Sequence, residues 1–155
     1  MFIPENDYNK ILSTMPILCV DLIIFFNRKY LLLKRKTEPA KGQYWFPGGR
    51  VYKMETIKEA ALRKAKEEVN LNCQFQEIIS IEECMFKQNK NMMTDIHTVN
   101  ICCKLVTHSI SEISLDKQHD GHIWITKDNL GTVDLHHCVI RPLKMAFDQN
   151  SDSGF

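Results

Sequence analysis

Glu67 and Glu68 stand side by side in the run RKAKEEVNL, residues 63–71. On an α-helix the two side chains leave the axis about 100° apart. Carboxylates that close repel one another unless something positive neutralises them. Arg63, four residues before Glu67, can pair with it but not easily with both. A divalent cation can supply the remaining charge, because hard cations such as Mg²⁺ favour oxygen ligands. A solvated surface, with Lys64 and Lys66 nearby, is the plainer alternative.

The segment just upstream adds to the metal reading. PGGRVYKME places Gly48, Gly49 and Arg50 shortly before a helix start. Glycines permit close backbone approach, and backbone groups with a guanidinium can hold a phosphate and a metal. A pair of glycines alone is weak. The spacing Gly49, Glu55, Arg63, Glu67, Glu68 is far more specific.

Several elements must position these groups. Thr56 with Glu59 fits a capping box and predicts a helix from about Ile57 to Val69. Its apolar positions, among them Ala60, Ala61, Ala65 and Val69, include helix-face spacings. ILCVDLIIFF (17–26) and YLLLK (30–34) read as a hairpin turning at 27–29. TEPAKGQYWFPGGR is too polar and too punctuated to predict a regular element. Strands are expected over 74–86, 95–106 and 122–126, and a helix between 137 and 148 with Pro142 near its start. Strands and helices mix without strict βαβ alternation, which favours a mixed sheet covered by helices. Cys102 and Cys103, adjacent on a strand, should point to opposite faces.

The chain has 155 residues, 44% hydrophobic and 25% charged, a globular balance that suits one domain over 1–150 with a loose tail over 151–155. Its 20 basic and 19 acidic residues give no electrostatic reason to invoke nucleic acid or a membrane surface. The run from Pro16 to Phe26 contains Asp21 and is too short to span a bilayer. The six cysteines show no metal-type spacing, and the N-terminus lacks a signal-peptide pattern. Reduced cysteines in a cytoplasmic protein are expected. His97, His108, His122, His136 and His137 have no spacing of a metal site.

The glycine-to-glutamate spacing resembles the Nudix box, G-x5-E-x7-R-E-U-x-E-E-x-G-U with U apolar. Gly49, Glu55, Arg63, Glu67, Glu68 and Leu71 match it, and Ala65 fits loosely. Asn70 replaces a glycine, which the tolerance of Asn for the left-handed conformation at a helix end explains. Lys64 replaces a glutamate that belongs to the metal-binding machinery of ordinary Nudix pyrophosphohydrolases. FIPENDYNKILSTMPILCVDLII, LLLKRKTEPAKGQYWFPGGRVYKMET and LDKQHDGHIWIT together resemble GDP-mannose mannosyl hydrolases, which also lack that glutamate. The resemblance covers about residues 1 to 130.

It implies an α/β/α Nudix sandwich with a mixed β-sheet, and hydrolysis of GDP-mannose to GDP and mannose with attack, and inversion, at the sugar carbon. It also implies Mg²⁺, with Mn²⁺ as a substitute, and a homodimer. The family's metal ligands fall on Gly48, Glu68 and Gln118, with Glu67 as an auxiliary. His119 falls on its general base, and a histidine's ordinary pKa suits that role. Asp21 matches an aspartate important for catalysis, and Arg35 and Arg50 match arginines that stabilise the departing GDP. Phe2, Ile3 and Tyr8 match the nucleotide-contacting segment. A tyrosine catalytic in the family falls at Asn100. GDP-glucose as substrate, a pyrophosphohydrolase cutting at phosphorus, and a nucleotide-sugar binding module stay open as alternatives.

Overall fold

The computed structural model describes the backbone of residues 1–152 and the side chains of residues 1–150. Seven strands form one sheet: β1 (Ile17–Phe26), β2 (Lys29–Arg35), β3 (Tyr44–Trp45), β4 (Gly48–Arg50), β5 (Gln74–Phe86), β6 (Ile96–Val106) and β7 (His119–Ile125). The main path runs β3-β2-β1-β6-β5, with β4 paired to β1 and β7 to β2. The β1–β6 pair is parallel and the other pairs are antiparallel. The sheet is therefore mixed, as the element pattern predicts.

Strand alternation divides the core between the two faces. Val20, Leu22, Ile24, Leu31, Leu33, Cys103 and Leu105 pack with helix α2 (Ile57–Val69). Ile23, Tyr30, Leu32, Cys102 and Ile125 pack with helix α3 (His137–Asp152) through Val139, Leu143 and Phe147. Cys102 and Cys103 thus face opposite ways, as expected. Ala60, Ala61 and Ala65 give α2 a flat apolar face against the sheet, while each fully buried leucine contributes about 1.5–3 kcal/mol.

Helix α2 has the predicted bounds. Thr56 Oγ1 accepts from the Glu59 N–H, and Glu59 Oε2 accepts from the Thr56 N–H, which completes the capping box. Asn70 ends the helix in the left-handed region at φ 55°, the conformation its amide tolerates.

The structure corrects two expectations, the irregular stretch before α2 and the reduced cysteines, and adds one helix that the sequence pattern did not predict. The punctuated stretch before α2 contains β3 and β4, held by backbone pairing with β2 and β1 rather than by an alternating side-chain pattern. The N-terminal arm forms helix α1 (Glu5–Thr14). Cys84 and Cys138 are joined as a disulfide, whereas Cys19, Cys73, Cys102 and Cys103 are free; strand β5 and the first turn of α3 bring the pair together. Helix α3 begins at His137 with Pro142 inside it and reaches Asp152, into the expected 151–155 tail; residues 153–155 lie outside the described residues. Among the described residues, no helix is long and apolar enough to cross a membrane.

Candidate functional site

Strand β4 lies beside the first half of β1, with Gly48 opposite Asp21 and Gly49 opposite Val20. A Cβ on Gly48 would collide with the Val20 carbonyl, so only glycine fits. Gly49 adopts φ 153°, and a Cβ there would sit 2.8 Å from Lys64 Cε. The bare backbone at these two positions lets α2 approach the strand closely. The Gly48 N–H donates to Glu68 Oε2 at 3.0 Å, tying the glycine strand to the last turn of α2.

The remaining box residues form a charge lattice around that contact. Arg63 grips Glu55 with two donors, Nε at 2.6 Å and Nη2 at 2.9 Å. Its Nη2 also donates to the Arg50 carbonyl, and its Nη1 reaches Glu67. The guanidinium lies 3.8 Å from the Tyr52 ring centroid. Hydrogen bonding to Arg63 holds the Glu55 carboxyl below its ordinary range. Arg63 and Glu55 therefore brace the loop between β4 and α2.

Lys64 folds onto the acidic pair instead of facing solvent. Its Nζ is 2.7 Å from Glu68 Oε1 and 3.4 Å from Glu67 Oε2. Burial works to lower the Lys64 pKa, but the two carboxylates, Glu68 foremost, carry it above its ordinary value. Glu68 is buried whereas Glu67 stays half exposed. The repulsion between the adjacent glutamates is thus relieved from within the protein by Arg63 and Lys64.

These groups open onto a cavity of about 790 Å³. Its wall includes Asp21, Arg35, Gly48, Gly49, Arg50, Glu67, Glu68 and Gln118, so most of the predicted site residues meet in one place. Arg35, at the end of β2, donates from Nε to the Pro39 carbonyl at 2.7 Å; burial pushes its pKa down, opposed by Glu68 and Asp21. Helix α1 supplies another wall, where the Arg50 guanidinium sits 4.7 Å from the Tyr8 ring centroid. Burial raises the Tyr8 pKa.

Three predicted residues do not reach that wall. Phe2 is 89% exposed, and neither Phe2 nor Ile3 lines the cavity. His119 points elsewhere: its side chain is 3% exposed, and its Nδ1 lies 2.7 Å from Asp116 Oδ1. Its neighbour Gln118 lines the cavity, and the Gln118 carbonyl accepts from the Lys36 N–H. The loop carrying both is anchored to α2, where the Glu68 carbonyl accepts from the Asp116 N–H.

Asn100 and Trp45 join the site through Asp21. Asp21 is 3% exposed, and its Oδ2 accepts from Asn100 Nδ2 at 2.8 Å and from Trp45 Nε1 at 3.4 Å. Burial pushes the Asp21 carboxyl up to about 7, against those two hydrogen bonds. A polar Asn in the apolar alternation of β6 was the available signal for this contact.

Gly48, Glu68 and Gln118 all line the cavity and carry oxygen donors, as does the half-exposed Glu67. That donor chemistry fits a hard divalent cation. The Lys64 ammonium already satisfies Glu68 Oε1, so a cation must share Glu68 with it or displace it.

A model of the NUDIX domain matches residues 15–138, and the chain belongs to that family. It is a Nudix hydrolase with the family's α/β/α fold. The low-salt glycan biosynthesis protein Agl8 of Haloferax volcanii is 29% identical over 117 residues, 76% of this chain and 75% of that protein. The ADP-ribose pyrophosphatase of Methanocaldococcus jannaschii is 44% identical over 70 residues, 44% of this chain and 41% of its own. A MutT NUDIX hydrolase from Burkholderia pseudomallei superposes with a TM-score of 0.69 at 22% identity, over 84% of this chain and 98% of that one.

Proposed function

We propose that this Nudix hydrolase cleaves a nucleotide diphosphate sugar, GDP-mannose before GDP-glucose, at the anomeric carbon to release GDP and the free sugar with inversion. The observation that carries the reading is the Lys64 clamp. The ammonium takes the place of a box glutamate and neutralises Glu67 and Glu68, which leaves no box carboxylate free to activate water beside phosphorus. The similarity to a protein of glycan biosynthesis supports a sugar-bearing substrate.

Arg35 and Arg50 would bind the diphosphate, since a guanidinium stays charged and offers paired donors to phosphate oxygens. Gly48, Glu68 and Gln118 would hold Mg²⁺, or Mn²⁺ in its place. The bound cation supplies neutralisation of the charge that develops on the leaving diphosphate. Tyr8 supports Arg50 from α1. In a homodimer, Phe2 and Ile3 would serve the cavity of the neighbouring subunit.

Hydrolysis at phosphorus is the second reading, favoured by the half-exposed Glu67 carboxylate and by the similarity to an ADP-ribose pyrophosphatase. Phosphorus NMR of a reaction with GDP-mannose and Mg²⁺ separates the two. GDP with free mannose is the expected outcome. GMP with mannose 1-phosphate would replace it with the second reading, and binding without turnover would make the chain a nucleotide-sugar binding module.

A further inference from the structure

Four side chains able to bind a metal meet where β5 reaches the start of α3, and none of them lines the cavity. The ligand atoms of His136, His137 and Cys138 all lie within 4.8 Å of one another. Cys84, on β5 and 54 residues earlier, supplies a second sulfur, bonded to that of Cys138 in the oxidised chain. Spacing along the sequence does not reveal this group, because Cys84 joins it only through the fold.

The ligands are held in place by packing. The His136 ring lies 5.1 Å from Trp45 and 5.6 Å from Phe86 between centroids, and His137 stacks 4.2 Å from it. The Cys138 N–H donates to His136 Nδ1 at 3.2 Å, so this nitrogen carries its lone pair beside Cys138. A metal can take that lone pair in exchange for one hydrogen bond. Rotamers locked in this way prepare a site before the ion arrives. Both cysteines are buried, whereas His137 is exposed and gives the site an opening to solvent.

Two imidazoles and two sulfurs select a different ion from the oxygen donors of the cavity. Hard cations such as Mg²⁺ prefer oxygen, while Zn²⁺ accepts a set of two cysteines and two histidines in a closed tetrahedron. Bonds of about 2.0–2.3 Å set the ligand atoms of such a site roughly 3.3–3.8 Å apart. The three α3 ligands need only small adjustments to reach that spacing. Cys138 stands in the first turn of α3, where free N–H groups favour the thiolate that zinc requires.

We propose that Cys84, His136, His137 and Cys138 form a zinc site that replaces the disulfide when the chain is reduced. A thiol reductant gives two electrons to the disulfide and is itself oxidised to a disulfide. The bond between the two sulfurs breaks, and Cys84 and Cys138 become thiols. Zn²⁺ then bonds to both sulfurs and to one nitrogen of each histidine, and the two thiol protons pass to solvent. Strand β5 and helix α3 stay clasped in either state, by a covalent bond in one and by the ion in the other.

Cobalt substitution tests the site. The full chain is reduced with dithiothreitol, desalted under nitrogen and titrated with Co²⁺ in excess Mg²⁺, which occupies oxygen-donor sites. A single Co²⁺ should bind with thiolate-to-cobalt absorption in the ultraviolet and the strong visible bands of a tetrahedral ion. Zn²⁺ should abolish both signals, and the disulfide form should show neither. Cys138→Ser should lose the thiolate absorption. His137→Gln should weaken Co²⁺ binding by about 100-fold or more, since even the hydrogen-bond partners of metal ligands are worth about 10–100-fold. Absorption that survives in Cys138→Ser would belong to Cys19, Cys73, Cys102 or Cys103 and overturn the proposal. Reduced wild type without the absorption, a disulfide form with the same spectrum, or unchanged affinity in His137→Gln would overturn it equally. If Cys138→Ser does not fold, His137→Gln decides alone, because its exposed side chain is not part of the core.

Discussion

Lys64 Nζ lies 2.7 Å from Glu68 Oε1, and the Gly48 N–H donates to the other oxygen of the same carboxylate. Glu68 is buried in this grip, so the lysine is a structural partner as well as a departure from the box. Removing one member of a buried ion pair leaves an uncompensated charge, which typically costs about 3–5 kcal/mol. Lys64 is itself partly exposed, so Lys64→Met should cost less, about 2 kcal/mol, in urea unfolding. Added Mg²⁺ should recover part of the loss, because a cation could then neutralise Glu68. An unchanged midpoint would reduce the contact to an ordinary surface pair.

Replacing Glu68 by Gln keeps its shape and one acceptor but removes the charge on the cavity wall. Turnover should fall by about 10²-fold or more if Glu68 holds the cation that neutralises the leaving group. Calorimetric titration with Mn²⁺ should show weaker binding in the variant. Wild-type turnover and affinity would take Glu68 out of the site.

Asn70 caps α2 at φ 55°, and its Nδ2 donates to the Glu112 carbonyl at 2.9 Å, fastening the loop that follows β6. Glycine accepts the backbone angle but loses the side-chain bond, whereas alanine loses the bond and strains the backbone. Asn70→Gly should change stability by less than about 1 kcal/mol, and Asn70→Ala should cost about 1 kcal/mol or slightly more. Equal midpoints for both variants in denaturant would show that the left-handed angle is not the constraint.

The parts of this fold written in side-chain pattern were legible in advance. The capping residues and apolar face gave α2 its bounds, and alternation predicted opposite faces for Cys102 and Cys103. Strands β3 and β4 were not legible, because backbone pairing alone makes Tyr44–Trp45 and Gly48–Arg50 strands. Helix α1 carries Tyr8, Ile11 and Leu12 at helical spacing but buries none of its residues fully, and its start lacks a side-chain cap. At the site, Asp21, Arg35, Gly48, Arg50, Glu68 and Gln118 do line one cavity. Gln118 sits in the turn before β7 and has the cavity side, whereas His119 opens the strand with its side chain buried, a placement set by the turn and not by spacing. The turn of Lys64 toward Glu68 depends on the bare backbone of Gly49, a contact between distant parts of the chain that spacing does not encode.

Asp21 gives the fold a measurable pH dependence. Burial raises its pKa from 3.8 to about 7, so the folded state holds the proton more tightly than the unfolded chain. Stability from this group is therefore fully present below the unfolded value and is lost as pH rises from about 4 to about 7. Beyond that window no further loss comes from Asp21. The shift corresponds to roughly 4 kcal/mol between the two ends. Asp21→Asn is neutral throughout and can still accept from Asn100 and Trp45 through its amide oxygen. Its denaturation midpoint should match the wild type near pH 4 and exceed it above pH 7, with the gap opening across that interval. Parallel curves for the two proteins from pH 4 to pH 8 would mean that folding leaves the Asp21 carboxyl at its ordinary pKa.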